Sequence, residues 1–214
     1  MGKYILGCLG VAVLAVILFV IIAVIGGIGS YNHLVGLQQG VNSQWAEVEN
    51  QYQRRADLVP NLVQTVSGAA NFEKSTLIAV TQARASVGQI KLDPSTAPTS
   101  QAQLDQFQAA QGQLGNALSR LLVVSEKYPD LKSNQNFLDL QTQLEGTENR
   151  ITTARYGFNQ AAQGYNTAVK TFPTVLYAGM LGFTVRPYFQ SQPGDENAPA
   201  VKFDFNNTNA APTK

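Results

Sequence analysis

An uninterrupted apolar stretch opens the chain. Residues 4–28 read YILGCLGVAVLAVILFVIIAVIGGI and contain no charged residue and no Asn, Gln, Ser, Thr or Pro. As a helix, about 25 residues at about 1.5 Å each span about 37 Å, which exceeds the about 30 Å of a bilayer's hydrocarbon core. A helix lying on a soluble core would show a polar face. The pattern therefore predicts a transmembrane anchor over residues 1–30, followed by a mostly polar body.

The next stretch, from Tyr31 to about Gly88, repeats apolar residues at steps of three and four. One column holds Leu34, Val41, Val48, Leu62 and Ala69, and its neighbour holds Trp45, Tyr52, Val59, Val66, Val80 and Val87. Such spacing is typical of a long helix with a bundle-type seam. Pro60 removes one backbone donor within the pattern, so the sequence predicts either a kink or a break of the helix at this position. The apolar columns keep their register across Pro60, which favours the kink.

Two further helices are predicted along the chain. Ser100 with Gln103 resembles a capping box, which opens a second helix running to about Tyr128. Ser133 or Asn134 is the expected cap of a third long helix, whose inner residues recur every seven positions: Phe137, Leu144, Ile151, Phe158, Tyr165 and Phe172. The predicted fold is all-α, with an N-terminal transmembrane helix followed by an antiparallel bundle of three long helices over residues 31–172.

A short apolar and aromatic segment follows the bundle. Residues 173–205 are predicted either to cap the bundle or to lie at an interface with lipid or a partner. The candidate contact surface within this segment is an aromatic strip of Tyr177, Phe183, Tyr188 and Phe189. The alternation over residues 200–205 predicts a short extended strip, and residues 206–214 are predicted to be a disordered tail.

Four charged residues project onto or beside the apolar seams. Arg55 and Glu73 fall in the two columns of the first helix, and Glu148 and Arg155 flank the seam of the third. An isolated buried charge costs several kcal/mol, so these groups are expected to be compensated. One hypothesis is that they pair between helices and set the register of the bundle. The alternative is that they extend to solvent at the edge of the seam.

Composition excludes several function classes. Fifteen basic and fourteen acidic residues give a net charge of +1 without a basic stripe, so no nucleic-acid partner is expected. Cys8 lies inside the apolar span and His33 directly after it, which argues against a Ser-His-Asp or Cys-His site. Glu145 and Glu148 lack the histidine three residues later that a di-metal bundle site requires. We predict no enzymatic activity, no metal and no cofactor.

Two alternatives concern the anchor itself. Lys3 favours an N-terminus inside the cell, so the bundle of this single-pass protein is expected on the extracytoplasmic side of the cell membrane. Cleavage before Ser30 would instead make the span a signal peptide, although an apolar region of about 25 residues is longer than the usual 7–15. Lipidation of Cys8 is a further alternative, but the apolar region follows this cysteine instead of preceding it.

Three sequence motifs resemble the LemA family of bacterial membrane-anchored proteins. They are YNHLV at residues 31–35, RRADLVPNL at 54–62 and YPDLKSNQNFLDLQTQLEGTENRITTAR at 128–155. The resemblance implies an N-terminal span followed by an all-helical bundle, and it brings no catalytic residue to carry over.

Together these features predict a membrane-anchored, non-enzymatic helical scaffold. It would self-associate into a homo-oligomer or dock a membrane protein of the cell envelope, with the lipid bilayer as its constant partner. The alternative is a regulatory or sensor subunit of a membrane signalling or proteolytic system.

Overall fold

The computed structural model describes residues 2–69, 72–90 and 96–190, and the regular elements within these ranges are all helical. They are α1 (Gly2–Ser67), α2 (Lys74–Gly88), α3 (Gln101–Ser125), α4 (Pro129–Lys132), α5 (Gln135–Lys170) and a 3-10 turn at Thr174–Leu176. The predicted all-α bundle with an apolar N-terminal helix is confirmed. The extended strip predicted at residues 200–205 and the tail predicted at 206–214 lie outside the described residues.

Helix α1 combines the apolar run and the centre of the bundle. It continues without interruption for 66 residues, a length of about 99 Å. Its first part exposes large apolar side chains, among them Leu18, Ile22 and Ile25, and it is long and apolar enough to cross a membrane. From Leu34 onward the same helix supplies buried core residues. The apolar run and the core seam are therefore two parts of one rod.

Helix α5 packs along α1 in the antiparallel direction. Arg55 of α1 contacts Glu148, whereas Ser30, near the beginning of the bundle, contacts Thr174 just beyond the end of α5. Helix α2 packs against α1 and α3. The C-terminal end of α5 therefore returns to the part of α1 that adjoins the apolar run.

The predicted single helix over residues 31–88 is wrong in its second half. Helix α1 ends at Ser67, and a separate helix, α2, begins at Lys74 and packs against α1. Gly68 directly follows the helix end, and a glycine after the last periodic residue is a helix stop signal. The columns beyond Gly68 consequently belong to a different helix with its own register.

Pro60 lies inside α1, and the helix continues beyond it to Ser67. The alternative of a break at Pro60 is therefore wrong, while the kink stays a prediction. The proline is exposed.

Side chains cap the predicted starts of two helices. Ser100 and Gln103 form the predicted capping box of α3, in which each side chain accepts a hydrogen bond from the other residue's backbone N–H. The Asn134 side chain accepts from the backbone N–H of Phe137 and caps α5. Both caps satisfy backbone donors that the helix itself leaves unpaired.

The core consists of two apolar clusters along the bundle. The proximal cluster, on the side of the apolar run, includes Leu34, Val41, Trp45, Val48, Tyr52, Leu104, Phe107, Ile151, Phe158 and Tyr165. The distal cluster includes Val59, Leu62, Val66, Phe72, Val80, Leu114, Leu118, Leu121, Phe137 and Leu144. The columns predicted for the helices that are now α1 and α5 supply most of these residues, because each column faces inward along its own helix.

The aromatic strip predicted as a contact surface largely packs inward. Phe183 and Phe189 are buried in the proximal cluster, and Phe189 stacks on Trp45 with ring centroids 6.2 Å apart. Tyr177 is half-buried, and Tyr188 is exposed. The prediction of an exposed interface is therefore wrong for the two phenylalanines, which cover the bundle because the core offers them more apolar contact than water does.

Two asparagines of α5 hold this C-terminal strap (residues 183–190) in place. Asn166 donates to the carbonyl of Arg186 at 2.8 Å and accepts from its N–H at 2.7 Å. Asn159 makes the same pair of bonds with Phe189, at 3.0 and 2.9 Å. The Arg186 guanidinium also donates to the carbonyl of Ala97. The amide side chains thus satisfy the backbone of an extended segment as a neighbouring strand would.

Candidate binding groove between the helices

A polar layer separates the proximal and distal clusters. Arg55 of α1 and Gln111 of α3 lie at this level, with only 5% and 4% of their surfaces exposed. Helix α5 contributes the buried Thr147 and, beside it, Glu148. Each position continues a column that is apolar one or two turns away, so the helices bring polar groups together inside the bundle.

The Arg55 guanidinium connects all three long helices. Its Nη2 donates to the backbone carbonyl of Gln111 at 2.9 Å and to the Oε1 of the same residue at 2.7 Å. Its Nη1 donates to Oε2 of Glu148 at 3.0 Å. The guanidinium lies over the ring of Tyr52, with its Cζ 5.0 Å from the ring centroid. The buried Nε has no hydrogen-bond partner among the described residues.

The two partners of Arg55 differ in their environment. Gln111 is buried, whereas the Glu148 side chain is 59% exposed. A pair with one such exposed member is screened by water and contributes little. The hydrogen bonds to Gln111 form away from water, where leaving one of the partners unpaired is costly. Gln111 is therefore the main structural partner of Arg55.

Arg155 and Glu73 do not join this layer. The Arg155 guanidinium donates to Gln108 Oε1 at 3.2 Å and to the carbonyl of Gln190 at 3.3 Å, and it lies over the ring of Phe189 at 4.8 Å. Glu73 is exposed at the beginning of α2, because α2 is a separate helix whose register is independent of that of α1. The four charged residues predicted at the seams thus do not form a single ionic cluster.

Gln111 is a functional candidate that the sequence analysis missed. It occupies the inner column of α3 between Phe107 and Leu114, three or four residues from each. A glutamine in an otherwise apolar column of one helix, with an arginine in an apolar column of another helix, is a sequence feature that indicates a buried polar contact. The signal does not by itself identify the partner, because that depends on how α1 and α3 are aligned.

A groove opens over the polar layer, between α3 and α5. It has a volume of about 460 Å³ and reaches the exposed surface. Its lining comprises Tyr52, Arg55, Gln108, Gln111, Gly112, Gly115, Asn116, Leu118, Ser119, Leu122, Leu144, Glu145, Glu148 and Arg155. Amides, carboxylates and guanidinium groups share this surface with three leucines, so the groove offers a binding partner both hydrogen-bonding groups and apolar contact.

Burial changes the ionisation of Tyr52, which lines the groove. Burial raises the pKa of its hydroxyl above the ordinary value of 10.0, and the positive charges of Arg155 and Arg55 oppose this rise. The phenol therefore stays neutral at physiological pH.

The described residues contain no group of three or more His, Cys, Asp or Glu side chains able to hold a metal ion. His33 is exposed on α1, and Glu145 is exposed at the rim of the groove.

Comparison with known proteins gives one extended match and several shorter ones. The family model of the LemA family matches residues 44–203. Protein LemA of Metamycoplasma hominis is 25% identical over 164 residues, which cover 77% of this chain and 70% of that protein.

The shorter matches are magnetosome proteins. Magnetosome protein MamQ 2 of Paramagnetospirillum magneticum is 38% identical over 87 residues, and magnetosome protein MamQ of Magnetospirillum gryphiswaldense is 36% identical over the same length. Each match covers 41% of this chain and 32% of the relative, so the chain matches about a third of the length of these proteins. Because the family model extends over most of the sequence, from α1 through α5 and the strap, this chain belongs to the LemA family.

Proposed function

We propose that this protein is a membrane-anchored, non-enzymatic helical scaffold that acts by contact with other proteins, first of all with further copies of itself. The observation that carries the proposal is the continuity of α1. One helix exposes the apolar run at one end and forms the central seam of the bundle at the other. Because the anchor and the core seam belong to the same helix, an inserted anchor also holds the bundle at the membrane.

The chemistry of the groove supports binding as its role. Guanidinium and amide groups keep their protonation state near neutral pH, so they recognise polar groups without transferring protons. Gly112 and Gly115 line the groove on α3 without side chains, and a Cβ at Gly115 would lie 3.8 Å from Arg55 Nη1, so α3 adds little bulk beside the guanidinium. A net charge of +1 leaves little electrostatic repulsion between copies. These features suit the lateral packing of bundles held on one surface.

The proposal includes an orientation. Lys3 precedes the apolar run, so the N-terminus is placed inside the cell and the bundle on the extracytoplasmic side of the cell membrane, with a single crossing.

The test measures the copy number of the full chain and then blocks the groove. The molar mass of the detergent-solubilised protein is determined by light scattering over a hundredfold concentration range. Ser119, exposed at the groove, is replaced by tryptophan, and Gln113, exposed on another face of α3, receives the same substitution as the matched control. We expect the unmodified chain and Gln113→Trp to assemble alike, and Ser119→Trp to dissociate at least tenfold more readily.

Two results would overturn the proposal in different ways. A chain that stays monomeric at all concentrations would contradict self-association. A chain released from membranes by alkaline carbonate would contradict the anchor, since a spanning helix resists such extraction.

A further inference from the structure

The segment after α5 lies beside the place where α1 leaves its apolar run. The Tyr177 hydroxyl donates to Ser30 Oγ at 2.6 Å, and Ser30 Oγ lies 3.3 Å from Thr174 Oγ1. One residue later on α1, the ring of Tyr31 meets the ring of Phe183 edge to face at 5.5 Å. These contacts place the turn after α5 at the level of Ser30, immediately next to the last apolar residues of the run.

This turn exposes a cluster of large apolar side chains. The cluster, called here the apolar foot, consists of Phe172, Val175, Leu176, Met180 and Leu181, all of them exposed. Met180 is 88% exposed and Phe172 74%. The surrounding residues 171–185 contain no charged side chain. A patch of this kind marks a contact site, because water solvates it poorly.

The inward side of the turn is well packed, so the exposure is specific to one face. Thr174 and Ala178 are buried, and Ala178 belongs to the proximal cluster. Gly182 adopts a φ of 82°, which an L side chain rarely adopts, and it leads the chain to Phe183, the buried first residue of the strap. The fold thus holds the turn firmly while directing five apolar side chains away from the bundle.

The position of the foot identifies what it contacts. On α1, Ile25 and Ile28 are exposed within about a turn and a half before Ser30, so the foot extends an apolar surface that α1 already presents. Lys170, exposed in the last turn of α5, lies two residues before Phe172 of the foot, and a lysine at such an edge suits contact with lipid headgroups. An apolar surface that borders a spanning helix and is flanked by a basic residue matches the interface of a bilayer.

We propose that the apolar foot inserts into the headgroup and acyl-chain boundary of the bilayer beside α1. The inference rests on the proposed function, because it requires the apolar run of α1 to be the anchor. Two contact points then fix the rotation of the bundle about α1, whereas a single helix would leave that rotation free. The groove between α3 and α5 consequently faces a constant direction along the membrane plane, as lateral assembly requires.

The experiment measures the depth of single labelled positions in the full chain. A Cys8→Ser background is combined in turn with Met180→Cys, Leu18→Cys and Val123→Cys, and each cysteine carries the fluorophore NBD. The proteins are reconstituted in vesicles of phosphatidylcholine and phosphatidylglycerol at 3:1, with or without lipids carrying a doxyl quencher. The quencher is placed near the headgroup for Met180 and Val123, and deep in the acyl chain for Leu18, which lies about 15 Å inside the apolar run. Val123 is a matched control, because it is exposed and apolar but lies at the distal end of α3.

We expect the lipid quencher to reduce the Met180 signal at least threefold more than the Val123 signal, with a blue-shifted emission. Introducing Leu176→Glu into the Met180→Cys protein should abolish this difference, and the melting temperature should stay unchanged because Leu176 is exposed. Quenching at Leu18 tests separately whether the apolar run of α1 is inserted in the bilayer.

Three outcomes would contradict the inference. If Leu18 is quenched and Met180 is quenched no more than Val123, the foot does not touch lipid although the anchor is inserted. If Met180 is shielded from aqueous iodide but unaffected by the lipid quencher, a second protein copy covers the foot. If Leu18 itself is not quenched, the apolar run of α1 is not inserted in the bilayer, and the proposed function is contradicted together with this inference.

Discussion

Replacing Arg55 by methionine tests what the polar layer contributes to stability. Methionine keeps an apolar stem of similar length but removes the two hydrogen bonds to Gln111 and the one to Glu148. Glu148 is largely exposed and becomes hydrated at little cost, whereas the Gln111 amide is left buried without its donor. An unsatisfied buried acceptor costs about 1–3 kcal/mol, so we expect a loss of about 2 kcal/mol in the free energy of unfolding.

That loss corresponds to a decrease of about 4–8 °C in the melting temperature for a domain of this size. The assay follows the fluorescence of Trp45, the only tryptophan and fully buried in the proximal cluster, in the detergent-solubilised full chain. Arg54→Met is the matched control, because Arg54 is the exposed neighbour of Arg55. Its effect should remain within about 0.5 kcal/mol.

Two further variants separate the partners of Arg55. Glu148→Gln should cost less than about 1 kcal/mol, as is usual for an exposed partner. The double variant Arg55→Met with Gln111→Leu should recover most of the stability, because it replaces a satisfied polar layer by an apolar one. If Glu148→Gln were as damaging as Arg55→Met, or if the double variant were worse than the single one, the assignment of Gln111 as the main partner would be refuted.

Two other predictions concern the strap and the groove. Asn166→Asp keeps the shape of the side chain but removes the donor to the Arg186 carbonyl. Hydrogen exchange of the strap amides should therefore accelerate at least tenfold. The control Asn149→Asp, at an exposed site of the same helix, should leave the exchange rate of the strap unchanged. Because burial raises the folded-state pKa of Tyr52 above 10.0, its contribution to stability is fully present below about pH 10 and is lost as the pH rises through the folded pKa. Urea unfolding at pH 8 to 11 should show this decline, and a Tyr52→Phe variant that declined as steeply would contradict it.

Much of the fold follows from local periodicity. The columns through Leu34 and Trp45 on α1 and from Phe137 to Tyr165 on α5 predicted the buried faces, because 3.6 residues per turn fixes the angle between side chains within one helix. Phe172, predicted as the last inner residue, is exposed because α5 ends before it, at Lys170. The caps at Ser100 and Asn134 were equally predictable, since capping depends on a few neighbouring residues. The apolar run required only its length and the absence of polar side chains.

Other features depend on how separate elements pack together. The pattern projects Glu73 onto a seam of the first helix, but α1 ends at Ser67 and Glu73 precedes a separate helix, where it is exposed. The approach of α3 to α1 decides that Gln111 is the buried partner of Arg55. The apolar residues after α5 divide in the same way: Phe183 and Phe189 cover the core, whereas Met180 and Leu181 face outward.

The sequence by itself determined that this chain is an apolar helix continued into a bundle, and which side of each long helix turns inward. Only the tertiary structure decided which charges meet, which aromatic residues are covered and where the turn after α5 lies relative to the anchor. The physical reason is that helical periodicity acts over a few residues, whereas these contacts join residues up to 147 positions apart, whose relation exists only once the helices have docked.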